Sequence, residues 1–314
     1  MRAMTNLVDD TPVRALSLST GGTYGAWEAG VVLGILEKKT DSARQSRRWN
    51  AFYGGSAGAF NVAFLSMYKN QLEGARALAL YWVANADESQ TSRLGVCSIL
   101  FRCCMQSKSL MDQSALRPLM KGLDFNRVGR FTPTWISVTN MHKQRGEMVR
   151  LEDPTSVVAG SVAHARLKAR NHTVVLASVS IPGMFPKVFV NGAWYADPLM
   201  TLPVPFQHNT VGIESMDVVV APKVPITHGD SFLAVVQNSL AVMMNNVTND
   251  NLAAIAMEYG KRARLWTKTY RSIAAPEFSL DAHLAHLLVE DGYTFATLAR
   301  DEPVREYDFQ PIEP

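Results

Sequence analysis

Ser56 stands in "GGSAG", residues 54–58, flanked at two residues on either side by Gly54 and Gly58. A serine hydroxyl attacks carbonyl carbon only when a base takes its proton. A GxSxG turn between a strand and a helix holds such a serine clear of neighbouring side chains. A chain with 20 glycines can also carry that spacing in a plain loop, so position must decide. A second glycine turn, "LSTGGTYGAW" at 18–27, offers the backbone N–H groups of Gly21 and Gly22, with Gly25 opening the next helix. Acyl transfer needs such donors, because the carbonyl oxygen becomes an oxyanion. The competing reading is a dinucleotide turn, with Thr20, Gly22 and Gly25 at the three glycine positions of GxGxxG. That turn calls for an acidic residue at the end of the next strand, where this chain has "GGSAG".

The base has two kinds of candidate. None of the seven histidines lies in a glycine-bounded loop, and His283 and His286 sit one turn apart on an expected helix, which suits packing or surface roles. Asp197 follows the strand-like "AWYAD" and precedes a loop stiffened by Pro198, Pro203 and Pro205. It could take the Ser56 proton if burial raised its affinity for protons, or it could simply cap the next turn.

These residues need a scaffold. "VRALSLS" (13–19) and "WNAFYGG" (49–55) read as buried strands, each followed by a helix, over 24–39 and 57–69. That βαβα rhythm predicts a parallel sheet covered by helices. Residues 70–122 read as a helical cap insertion containing the apolar "CSILFRCCMQSKSLM". Strands follow at 133–141 and 146–153, then a hairpin over 187–197 turning at Asn191 and Gly192, then a strand in "SMDVVVAP" (215–222). Helices are expected over 231–264, and two helical segments separated by Asp291 and Gly292 near the end. The basic residues Lys261, Arg262, Arg264, Lys268 and Arg271 read as a solvated helix face.

Composition narrows the class. Net charge is +3, and no aromatic-interleaved basic stripe marks a nucleic-acid partner. Cys97, Cys103 and Cys104 form neither a disulfide framework nor a zinc motif, which fits a reducing, cytoplasmic setting. The polar amino terminus has no signal-peptide pattern, and no apolar run is long enough to span a bilayer.

Three segments in order resemble the patatin-like phospholipase family: "LSLSTGGTYGAWEAGVVLGILE", "FYGGSAGAFNVAFLS" and "ASVSIPGMFPKVFVNGAWYADPL". The likeness spans residues 14–300. It implies a three-layer α/β/α hydrolase with a mostly parallel central sheet. It also implies a catalytic dyad of Ser56 and Asp197, an oxyanion hole at Gly21 and Gly22, and motif glycines at Gly25, Gly54 and Gly58. The implied reaction cleaves fatty-acyl esters of lipids, commonly phospholipids, through an acyl-enzyme, without metal or cofactor. The apolar segment 97–111 with Arg102 and Lys108 suits a helix packed on its own domain or, as the alternative, a peripheral membrane contact. Two positions depart from the family's usual pattern: Thr20 stands where a third glycine is common, and Pro198 follows the aspartate where glycine is usual. They support the alternative of a catalytically impaired lipid- or partner-binding relative. A Ser-His-Asp esterase is the remaining reading.

Overall fold

The computed structural model describes residues 13–38, 49–86, 112–159, 161–190, 192–206, 213–222, 232–268, 273 and 281–298. Its first half alternates strand and helix as the sequence predicts: β1 (Val13–Leu18), α1 (Gly25–Glu37), β2 (Ala51–Gly55), α2 (Ala57–Leu65) and α3 (Gln71–Ala84). A single turn of helix, α4 (Arg117–Met120), leads into β3 (Thr134–Asn140) and β4 (Arg145–Leu151). Then come α5 (Val162–Ser178), the hairpin β5 (Val188–Val190) and β6 (Ala193–Ala196), β7 (Ile213–Val219), α6 (Phe232–Tyr259), β8 (Ala263–Trp266) and α7 (Ala282–Leu298).

The strands form one sheet ordered β5-β6-β3-β2-β1-β7-β8, with β4 also paired to β3. The β3-β2-β1-β7-β8 run is parallel throughout, and the additions at the β3 side are antiparallel. Side-chain alternation along each strand separates two cores. Leu16, Leu18, Phe52, Ile136 and Val138 face the layer of α1, α2, α3, α5 and α7. Ala15, Ala51, Tyr53, Met216 and Val218 face Leu252, Ile255 and Tyr259 of α6. This is the expected three-layer α/β/α fold around a mostly parallel sheet.

Three sequence expectations need correction. The two closing helical segments are one helix, α7, that runs through Asp291 and Gly292. The glycine does not break it. A Cβ on Gly292 would collide with the Trp27 carbonyl, so this glycine lets α7 press against α1. Asp291 meanwhile accepts from Trp27 Nε1 at 2.9 Å and from Lys268 Nζ at 2.7 Å. The helical stretch over 231–264 stops at Tyr259, turns at Gly260 with φ of 50°, and becomes β8. The basic run is therefore not a helix face. Arg262 bonds back to the carbonyls of Ile213, Glu258 and Tyr259, and Arg271 lies outside the described residues. Within 70–122, α3 packs on α1, α2 and α7, with Trp82 Nε1 donating to Asn61 Oδ1 at 2.8 Å. The apolar segment 97–111 with its three cysteines lies outside the described residues, as does Asn191 of the hairpin turn.

Candidate active site

β1 and β2 are parallel neighbours, with Leu18 opposite Gly54, so the turns after both open at the same edge of the sheet. At the end of β2 the chain must reverse at once into α2. Gly54 and Gly58 allow this, because a Cβ on Gly54 would strike the Gly58 carbonyl and one on Gly58 the carbonyls of Leu18 and Ser19. Ser56 between them takes φ 53° and ψ −120°, a conformation that costs a non-glycine residue about 1–3 kcal/mol. It is buried, and its N–H donates to Ser178 Oγ at 2.9 Å. Ser178 Oγ in turn donates to the Ser137 carbonyl at 2.8 Å. The elbow is thus held by the last turn of α5. No sequence pattern marks this helix in advance, although Ser161 caps its start.

Asp197 arrives from the opposite direction. One flank of β3 is covered along its whole length by β4, Thr134 to Asn140 pairing with Leu151 to Arg145. The other flank is shared. β2 occupies it up to Gly55 opposite Ser137, and β6 occupies its far end, with Tyr195 opposite Asn140 and Ala196 opposite Thr139. Two strands running toward each other therefore meet end to end along β3. The residue after one is Ser56 and the residue after the other is Asp197.

The carboxylate is held firmly. The Asp197 N–H donates to the Ser180 carbonyl at 2.9 Å, its own carbonyl accepts from Thr139 Oγ1 at 2.7 Å, and Oδ1 accepts the Leu199 N–H at 2.8 Å. Of the two roles that the sequence leaves open, the side chain takes the cap through Oδ1 and keeps Oδ2 free of it. Pro198 fits the loop, since it is the first residue of a 3-10 turn, where no N–H is required. Burial pushes the Asp197 carboxyl from its ordinary 3.8 up to about 7, against the opposing pull of the Ser56 side chain and the Leu199 N–H. Its Oδ2 is buried and meets no donor at full hydrogen-bonding geometry among the described residues, so the serine acts on the acid without closing a regular bond. Such loose contacts are usual before substrate is bound.

The glycine turn of β1 completes the cluster. Thr20 N–H donates to the Pro203 carbonyl at 2.8 Å, tying this turn to the aspartate loop. A Cβ on Gly55 would meet Thr20 Cγ2 and Pro198 Cγ, each at 3.3 Å, so both residues that depart from the family pattern border the elbow. Gly21 and Gly22 follow, Gly22 with φ of 52° in a 3-10 turn that leads to Gly25 and α1. Gly25 packs so closely that a Cβ would lie 2.7 Å from Trp82 and 2.8 Å from the Ala57 Cβ. The first N–H groups of α2, from Ala57 onward, have no acceptor inside their own helix and lie at the Ser56 end.

Beneath this turn runs a buried polar chain that the sequence did not flag. Ser19 Oγ donates to Glu28 Oε1 at 2.9 Å and accepts the Ala221 N–H at 3.0 Å. Glu28 Oε2 accepts from Asn61 Nδ2 at 3.3 Å. Burial drives the Glu28 carboxyl well above its usual range, against the hydrogen bonds from Ser19 and Asn61. The alternation of apolar residues in α1 hid this acid, which faces inward with them. Among the described residues no histidine bonds to Ser56 or Asp197; His172 stacks edge-on against Phe125, and His286 faces Glu290 at 3.8 Å.

A family model for patatin-like phospholipase matches residues 16–208, more than half of the chain. The chain belongs to the patatin-like phospholipase family. In this patatin-like chain the match begins in β1 and ends past the Pro198 loop, so Gly21, Gly22, Ser56 and Asp197 all fall within it. Among solved structures it is similar to VipD from Legionella pneumophila, at 13% identity and a TM-score of 0.41 over 91% of this chain and 66% of that one. It is also similar to the type III effector protein ExoU, at 14% identity and a TM-score of 0.31 over 92% of this chain and 54% of that one. The chain thus spans just under two thirds of the first and about half of the second. No curated protein sequence matches it. Among the described residues, no helix of this patatin-like protein is long and apolar enough to cross a membrane.

Proposed function

We propose that the chain is a serine acyl hydrolase that cleaves fatty-acyl esters of lipids, phospholipids included, through a Ser56–Asp197 dyad. Membership of the patatin-like phospholipase family supports lipid hydrolysis as the class of reaction. The observation that carries the finer reading is the meeting of β2 and β6 on one flank of β3, which leaves Ser56 and Asp197 facing across a single gap.

In this reading Ser56 Oγ attacks the ester carbonyl while Asp197 Oδ2 takes its proton. The N–H groups of Gly21 and Gly22, joined by those at the start of α2, receive the oxyanion. As the tetrahedral adduct collapses, the C–O bond to the alcohol breaks and Asp197 returns the proton to the leaving oxygen, giving an acyl-enzyme. Water, deprotonated by Asp197, then attacks the acyl carbon; Ser56 regains its proton and the fatty acid leaves. The scheme requires neither metal nor cofactor. A single domain over residues 14–300 carries it.

The test pairs two readouts. A fluorophosphonate should label Ser56 in the parent chain, and Ser56→Ala and Asp197→Asn should each lower fatty-acid release by about 10³-fold or more with the fold intact. Unchanged turnover in Ser56→Ala would overturn the proposal. A second reading, a catalytically impaired lipid- or partner-binding relative, is favoured by Thr20 and Pro198 beside the elbow. It predicts a parent chain that the fluorophosphonate leaves unlabelled.

A further inference from the structure

The hairpin that delivers Asp197 carries an aromatic pair that serves no core. Phe189 and Trp194 are directly opposite in the β5–β6 ladder, with ring centroids 5.0 Å apart, and are 54% and 38% exposed. Their neighbours Val188, Val190 and Tyr195 pack on the core, so alternation sends the two rings outward. Met141, 42% exposed, adjoins them, because its N–H donates to the Trp194 carbonyl at 2.9 Å.

Cations fringe this apolar face. Lys187 Nζ lies 4.8 Å from the centroid of the Trp194 ring. Lys143 and Arg145 follow Met141 in the turn into β4; both reach Glu147, at 2.8 and 3.6 Å. Arg150, at the far end of β4, lies over Trp135. Lys187, Lys143 and Arg145 set three cations against one carboxylate at this end of the sheet. Glu147 also accepts from the Tyr195 hydroxyl at 3.3 Å, so Lys187 stands at the rings and the other two stand toward the hairpin's other face. The hairpin also projects in a particular direction. β6 pairs with β3 only at Thr139 and Asn140, the carboxyl end of β3, which is the sheet edge where β2 releases Ser56.

Exposed tryptophan and phenylalanine fringed by lysine and arginine match a phospholipid interface, where amphipathic rings settle among headgroups and cations meet phosphates. We propose that this hairpin face is the docking surface for an anionic phospholipid bilayer, with Phe189 and Trp194 entering the headgroup layer and Lys187, Lys143 and Arg145 meeting lipid phosphates. The choice of a lipid surface rests on the lipid-hydrolase reading; docking itself requires no turnover. Bound in this way, the chain turns the edge bearing Ser56 and Asp197 toward its substrate.

The test is vesicle flotation of the full chain carrying Ser56→Ala, so that vesicles survive. It compares phosphatidylcholine alone with a mixture containing about one third phosphatidylglycerol. The chain should float with the anionic vesicles, less so as salt rises. Phe189→Ser combined with Trp194→Ser should lower the bound fraction about tenfold, and Lys187→Glu should weaken both the binding and its salt dependence. Brominated acyl chains should quench the parent's tryptophan emission more than that of Trp194→Phe. With Ser56 restored, the hairpin variants should keep fluorophosphonate labelling and hydrolysis of a soluble short-chain ester. A chain that docks but reacts with neither would sink the hydrolase reading and leave the docking surface standing. Docking is overturned if the parent ignores both vesicle types or if the double variant floats like the parent. It is equally overturned if the substitutions instead abolish capture of a protein while vesicle binding persists.

Discussion

Ser178 Oγ takes the Ser56 N–H at 2.9 Å and gives its own proton to the Ser137 carbonyl at 2.8 Å. One hydroxyl at the end of α5 thereby braces the strained turn against the neighbouring strand. In Ser178→Ala both buried partners lose this bond, at a cost of about 1–3 kcal/mol, which urea unfolding will measure. Because the brace holds the φ 53° conformation, turnover of a soluble ester should fall while KM changes little.

In the proposed dyad, Asp197 sets the pH response. With its carboxyl pushed up to about 7, the proportion able to act as base grows as pH rises through that value. Below it, kcat/KM should fall about tenfold per unit, and above it should level off, in assays from about pH 5 to 9. Stability should run the other way. The folded chain holds a proton on Asp197 that the unfolded chain releases near 3.8, so stability is highest below that value and falls as pH rises toward 7. Asp197→Asn should remove this slope and gain up to about 4 kcal/mol over the parent at alkaline pH, read by denaturation at several pH values.

Pro198 belongs to the loop's own geometry. It begins the 3-10 turn whose cap is the Asp197 side chain, and no backbone donor is lost there. Pro198→Gly should therefore cost about 0.5–1 kcal/mol through the freer unfolded chain and should not raise fatty-acid release. A several-fold increase in turnover would instead support the impaired reading.

Glu28 supports the glycine turn from below. Glu28→Ala removes the acceptor of Ser19 and Asn61 and leaves a cavity among α1, α2 and α3, so it should cost about 2–4 kcal/mol in chemical denaturation. Burial already favours the protonated acid, and Glu28→Gln should therefore cost under about 1 kcal/mol.

Local patterns made much of the fold legible. Short buried-strand runs, each followed by a helix, marked β1 and β2, glycine spacing marked the two turns, and the hairpin before Asp197 is readable from its turn residues. What escaped depended on contacts between distant segments. Gly292 resembles a helix stop until Trp27 of α1 is seen against it. Ser178 has no motif of its own and gains a role only because Ser56 and Ser137 arrive beside it. Glu28 looks like a surface acid on an amphipathic helix, yet α1 is covered on every side. The Phe189–Trp194 pair is an ordinary strand alternation in the sequence, and only the one-sided cover of the hairpin leaves it in solvent.

The tandem arrangement of β2 and β6 along β3 makes that strand a ruler for the reaction. Slipping β6 by one notch would carry the carboxylate about 3.3 Å along the scale and swing it to the other face of the sheet. The gap between alcohol and acid can therefore change only in coarse, self-defeating steps, whatever happens in the surrounding loops. Tolerance of substitution around this chemistry should end abruptly at the rungs that fix the register: Gly55 with Ser137, and Ala196 with Thr139.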